Sequence, residues 1–215
     1  MLLPACGGVT QREADPRTIL SQAKATIDAT SALHFRLTSE NAHGSGTLIT
    51  GAEGDAKRPA QFGGHLDVLQ SGFAVPVEIV SIGGTFSVKL PFTSKFVRAD
   101  PAAYGFGDPA QLLDRDHGLS SLLTTARTAS LAGRDRINGE EVDEIDVSLP
   151  GDEVAALLTS ADKTKDVKGR IAIDVDSHQT RRVVLTGPFF DAHAFSTYTA
   201  VLDRYGENAA ITPPP

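Results

Sequence analysis

From residue 33 onward apolar side chains return at every second position, and this period of two confines the chain to a sheet architecture. Leu33, Phe35 and Leu37 alternate with His34, Arg36 and Thr38, the pattern of a strand buried on one face. The stretch 47–52 follows, then Leu66 and Val68, then Val75, Val77 and Ile79 with Glu78 turned the other way. Past the Gly83-Gly84 turn, Phe86, Val88 and Leu90 alternate with Thr85, Ser87 and Lys89. No helical stretch separates these runs, so neighbouring strands are expected to be antiparallel.

The same rhythm returns late in the chain. Strands are expected at 129–137 and 141–149, joined by Ile137-Asn138-Gly139-Glu140. Asn-Gly between alternating runs signals a tight hairpin, because a type I′ turn needs positive φ at both central residues. Ile145, Val147 and Leu149 face one way there, and Glu144, Asp146 and Ser148 the other. Ile171, Ile173 and Val175, then Val183 and Leu185, then the stretch 195–205 complete a set of nine to eleven strands.

Three or four helices are expected beside them. The first is capped near Asp15 with Pro16 at its first position, where a missing N–H costs nothing. Ile19, Leu20, Ala23 and Ile27 make its apolar face. Asp100-Pro101 and Asp108-Pro109 are two further helix starts. Leu112, Leu113, Leu119, Leu122 and Leu123 then give an apolar surface over two short helices parted near Gly118, and another short helix fits 151–160.

Composition removes several function classes. The formal charge is −7 with a pI near 5.3, so the cationic footprint of a nucleic-acid protein is missing. One cysteine excludes an intramolecular disulfide and a thiolate metal cage. No window offers the roughly 18 uncharged apolar residues of a membrane span.

The polar residues form no obvious catalytic constellation. Histidines at 34, 43, 65, 117, 178 and 193 include no i, i+4 pair, and Asp191-Ala192-His193 supplies too few ligands for a metal site. Ser120 and Ser121 lack the G-x-S-x-G elbow of an exposed nucleophile. Glu140 and Glu141 point to opposite strand faces, and Gly44-Ser45-Gly46 lacks the sequel of a phosphate loop. No enzyme activity, metal or cofactor is expected.

The lone cysteine sits in Leu3-Pro4-Ala5-Cys6-Gly7, which looks like a bacterial lipobox, where the leader is cut before a cysteine that carries diacylglycerol. Only five residues precede Cys6, and an export leader needs about 15–30. Residues 1–15 are therefore expected to be a lipobox remnant and tether, and 16–215 one domain.

Three ordered segments resemble the LppX/LprAFG family of actinobacterial, chiefly mycobacterial, lipoproteins. They are Asp108-Pro109-Ala110-Gln111-Leu112-Leu113-Asp114 followed by Gly118-Leu119 and Leu122-Leu123; Gly133-Arg134-Asp135 with Ile137-Asn138-Gly139; and Tyr205-Gly206-Glu207 running to Ile211-Thr212-Pro213-Pro214. The resemblance implies an α+β fold: a strongly curved antiparallel sheet, a U-shaped half barrel, with helices closing its concave side over an apolar cavity. It implies a monomeric carrier of acylated lipids or glycolipids between the inner membrane and the outer envelope, anchored through lipidated Cys6 and facing a periplasm-like space or cell wall. The lining is expected from Leu66, Val68, Val77, Ile79, Phe86, Val88, Ile145, Val147, Ile171 and Ile173, with Leu112, Leu119, Leu122 and Leu123 as a lid. The alternative is a non-catalytic lipoprotein adaptor that docks a transporter or envelope enzyme and whose interior is plugged by side chains.

Overall fold

The computed structural model describes residues 15–42, 48–70, 73–190 and 194–214, and of residues 70 and 74 the backbone alone. Cys6, His43, Gly44-Ser45-Gly46, Thr47 and Asp191-Ala192-His193 lie outside the described residues.

Helix α1, Pro16–Ala29, opens as its sequence requires. The Asp15 carboxylate accepts from the Thr18 N–H at 3.1 Å, and Pro16 follows the cap. Ile19, Leu20, Ala23 and Ile27 are its buried face. At the other end Arg58 donates to the Thr30 and Ile27 carbonyls, at 2.9 and 3.3 Å, so the last turn is satisfied.

Eleven antiparallel strands form one sheet: β1 Ala32–Glu40, β2 Leu48–Lys57, β3 Gln61–Gln70, β4 Phe73–Ile82, β5 Thr85–Lys89, β6 Val97–Arg98, β7 Thr128–Ile137, β8 Glu140–Leu149, β9 Val167–Asp174, β10 Thr180–Gly187 and β11 Ser196–Asp203. Their order is β6-β5-β4-β3-β2-β1-β11-β10-β9-β8-β7, so the first and last strands meet in the middle and the sheet stays open. The hairpins follow the turn chemistry. Asn138 and Gly139 both take positive φ (51° and 90°), which places Ile137 opposite Glu140. Gly83 and Gly84 do the same between Ile82 and Thr85.

The sheet is strongly bent. Ile79 of β4 and Val183 of β10 line one cavity, although five strand spacings separate them, about 24 Å in a flat sheet. Gly54 and Gly64 stand opposite each other where β2 and β3 approach most closely, and a Cβ on Gly64 would run into the Glu53 carbonyl. The outer face carries charge: Arg170 grips Asp146 with two bonds of 2.7 and 2.9 Å, and Arg182 reaches Glu144 at 2.7 Å. The C-terminal segment is also fixed outside. The Gly206 N–H donates to the Ala32 carbonyl, Lys57 holds Asn208 and the Ala209 carbonyl, and Ile211 covers the bare Gly63.

The middle of the chain differs from expectation. In place of two short helices there are 3₁₀ turns at Pro101–Tyr104, Pro109–Gln111 and Leu119–Ser121, and one α-turn, α2, at Leu122–Thr125. Asp100 and Asp108 cap the first two turns as their sequence indicates. With only three or four residues before the next break, an i→i+4 ladder has no room to propagate. Helix α3 is shorter than expected, Gly151–Leu157. Strand β9 stops at Asp174, before Val175, and β11 at Asp203, before Tyr205.

Candidate functional site

The inner face of the bent sheet and this broken helical layer do not close on each other. Between them lies a cavity of about 110 Å³. A water needs roughly 10–15 Å³ of such space, so the void holds roughly 7–11 water-sized molecules and is not a packing defect. Its sheet wall comes from Phe35, Leu37, Ile49, Ala52, Phe62, Leu66 and Ile79 on one side and Val183, Leu185, Tyr198 and Ala200 on the other. Phe106, Leu112, Leu119 and Leu122 of the flap, with Val154, Leu157 and Leu158 at α3, close the opposite side.

Among the described residues only two lining side chains are polar, and both are engaged. Asp108 accepts from the Ser81 hydroxyl at 2.6 Å and from the Ala110 N–H at 3.0 Å. Tyr198 stacks edge-on against Phe189, centroids 5.0 Å apart, and burial pushes its phenol well above the ordinary range, so it stays neutral. The cavity therefore offers dispersion contact, and its one carboxylate, Asp108, is already taken by protein donors. Leu112, Leu119, Leu157 and Leu158 line it yet remain half-exposed, which places the mouth between the flap and the end of α3.

The flap is held at a few points. The Gly107 N–H donates to the Leu157 carbonyl at 3.1 Å, and a Cβ there would meet the Ala156 oxygen at 2.7 Å. The Ser120 hydroxyl donates to Asp28 at 2.6 Å, and Lys24 donates to the Arg115 carbonyl at 2.6 Å, tying the flap to α1. Asp114 accepts the His117 and Asp116 N–H groups, which hold its carboxyl below the usual range. Phe86 packs edge-on against Tyr104 and Phe106, with centroids 6.1 and 5.8 Å away.

Of the residues expected at the lining, Leu66 and Ile79 stand on the sheet wall, and Leu112, Leu119 and Leu122 on the flap wall. Val68, Val77, Phe86, Val88 and Leu123 are buried in the core without reaching the cavity surface. So are Ile145, Val147, Ile171 and Ile173, whose strands β8 and β9 pack beyond the cavity. Sequence reasoning passed over β10 and β11. Their alternation marks Val183, Leu185, Tyr198 and Ala200 as inward-facing, but only the β1–β11 pairing brings them opposite the flap. Ser120 and Ser121 serve as flap fasteners, Ser121 donating to the Gly118 carbonyl. Among the described residues no three His, Cys, Asp or Glu side chains converge, and no helix is long and apolar enough to cross a membrane.

Solved structures share this fold. LprF from Mycobacterium bovis superposes with a TM-score of 0.74 at 17% identity, over 92% of this chain and 96% of LprF. The lipoprotein LppX of Mycobacterium tuberculosis superposes at 0.67 with 18% identity, over 93% of this chain and all (100%) of LppX. In sequence the chain is 25% identical over 203 residues to the lipoarabinomannan carrier protein LprG of Mycobacterium tuberculosis, covering 94% of this chain and 83% of LprG. Residues 15–192 match the LppX_LprAFG lipoprotein family along nearly the whole described body, from the cap of α1 past β10, and the chain belongs to that family.

Proposed function

We propose that the protein is a non-catalytic, monomeric cell-envelope lipoprotein that shelters acyl chains of a lipid or glycolipid in the cavity and carries them between the inner membrane and the outer envelope. Lipidated Cys6 would tether it to the membrane. The observation that carries this reading is the void itself, walled by aliphatic and aromatic side chains and neutral throughout apart from the engaged Asp108. A methylene fills about the space of a water, so the void accepts roughly 7–11 methylenes. At about 0.8 kcal/mol for each buried CH₂ the gain is roughly 6–9 kcal/mol, near micromolar affinity before any headgroup contact. A chain of about 16 carbons exposes on the order of 12 kcal/mol to water and needs such a shelter to cross an aqueous gap. It overfills the void, so the flap must yield at its few fastenings.

In this reading Leu66, Ile79, Leu112, Leu119 and Leu122 touch the chain. Val68, Val77, Phe86, Val88, Leu123, Ile145, Val147, Ile171 and Ile173 supply the packed ground around it. An unplugged interior favours the carrier over the adaptor. Native mass spectrometry of protein expressed in an actinomycete is expected to find co-purified acylated lipid. A bare polypeptide mass at every attempt would refute the proposal.

A further inference from the structure

The exposed large apolar side chains of the described residues are Phe73, Leu90, Phe92, Val97 and Phe195, and Phe73 and Phe195 stand at one end of the strands. Phe73 opens β4 and is 73% exposed; Phe195 immediately precedes β11 and is 53% exposed. The ladder sets them level. Thr197 lies opposite Glu40, Thr38 opposite Gly51, Ile49 opposite Val68, and Val68 opposite Val75, which puts Phe195 and Phe73 within about one residue of a common height. Phe92 tips the turn after β5, which runs towards that end but stops with Lys89 opposite Glu78, five residues short of Phe73, and it is fully exposed at 109%.

Phe92 is the telling residue. The Thr93 N–H closes a turn onto the Leu90 carbonyl at 3.2 Å, Pro91 takes its second position, and Phe92 its third with φ of +66°. That position selects glycine or asparagine, and a bulky side chain there strains the backbone. No packing compensates, because the ring touches solvent. The stretch 89–98 around it carries Lys95 and Arg98 and no carboxylate, while Lys89, lying over the Phe96 ring, is held by Glu78 at 2.9 Å.

Helix α1 starts at the same end. Arg17, in the first turn of α1, donates to the Ala126 and Arg127 carbonyls at 3.3 and 3.0 Å. Thr128 is opposite Ser148, Ser148 opposite Lys168, Lys168 opposite Thr186, and Thr186 opposite Thr197, so α1 starts level with the strand tips. From there the nine residues back to Cys6 reach at most about 30 Å. The cavity also comes close, since Tyr198 on its wall is two residues, about 7 Å, from the start of β11.

We propose that the strand tips bearing Phe73, Phe92 and Phe195 are a membrane-docking front that seats on an anionic bilayer beside the entry of the N-terminal tether. Phe73 and Phe195 are four strand spacings apart, about 19 Å along the sheet, and separate anchors of this kind suit a planar lipid surface. A second protein requires one contiguous patch of roughly 800 Å². Docked in this way, the molecule presents its cavity end to the bilayer. The orientation rests on the carrier reading, whereas the docking itself does not.

The test uses the full chain carrying Cys6→Ser, so that adhesion owes nothing to an acyl anchor. Partition is measured by sedimentation with vesicles of phosphatidylglycerol and phosphatidylcholine. The parent is expected to bind, and each of Phe73→Ser, Phe92→Ser and Phe195→Ser to weaken binding about ten-fold. Phe92→Gly should lose the same ten-fold with no loss of thermal stability, a combination that a structural role for the ring would not give. Uptake of a fluorescent fatty acid should be equal in parent and variants. A triple serine variant that partitions like its parent would overturn the docking front, as would a parent that ignores the vesicles. A parent dimer that the triple variant abolishes would also overturn it, with a second copy as the occupant. A parent that binds vesicles but takes up no fatty acid would leave docking standing and sink the carrier reading.

Discussion

Replacing Leu122 by Trp adds six heavy atoms to a side chain that is 4% exposed and stands on the flap wall of the cavity. The added ring occupies about half of a void with room for roughly 7–11 methylenes. Capacity therefore falls by four or five CH₂ groups, about 3–4 kcal/mol, or roughly 100–700-fold in affinity for a filling chain. The assay is displacement of a fluorescent fatty acid by saturated acids of rising length. The parent should gain about four-fold per carbon until the void fills and then flatten. The variant should flatten about four carbons earlier. Overpacking costs about 1–3 kcal/mol of stability, so circular dichroism should report the same fold with a lower melting temperature. An unchanged plateau in a folded variant would refute the assignment of this cavity as the acyl site.

Three further outcomes are expected. Gly107→Val should break the bond to Leu157 by driving a Cβ onto the Ala156 oxygen, and hydrogen exchange at 106–119 should quicken while the strands stay protected. Arg36, hydrogen-bonded at 2.9 Å, holds the Glu53 carboxyl down at about 2 from an ordinary 4.5, with a smaller contribution from the His34 hydrogen bond. Because the folded value is depressed, that stabilisation is complete above pH 4.5 and lost as pH falls towards 2, so Arg36→Ala should unfold at higher pH in an acid titration. Arg58→Ala should strip the Thr30 carbonyl of its side-chain donor and leave the Ile27 carbonyl only the Thr30 N–H, costing about 1–3 kcal/mol in chemical denaturation.

Local chemistry was the legible part of this fold. The Asp15-Pro16 cap, the inward set of α1, the Asn138-Gly139 hairpin and the alternation of β8 depend on residues near one another in sequence, and the structure reproduces them. The flap was half legible. Its aspartate caps and leucines read correctly, but its helices shrink to single turns, the first stopped by the left-handed Gly105, the second ending at Gln111 and a third starting afresh after Gly118. The cavity wall was the least legible. Period two tells which residues face inward and not which of them meet a void, so Ile145 and Ile173 looked no different from Leu66. Ala52 and Ala200 line the cavity through being small, which reads in a sequence as weak hydrophobicity. The contribution of β10 and β11 needed the β1–β11 pairing, a contact that no local pattern encodes.

That pairing has a consequence for biogenesis. His34 of β1 stands opposite Asp203 of β11 across a seam between strands that lie far apart in sequence. A polypeptide threaded outward amino end first can knit β1 to β6 and β7 to β10 as two separate ribbons, each with an oily face and nothing to close it. Only arrival of β11 sews them together, so folding is slow for its size, and a chain cut before Ser196 yields two sticky halves instead of a frayed edge.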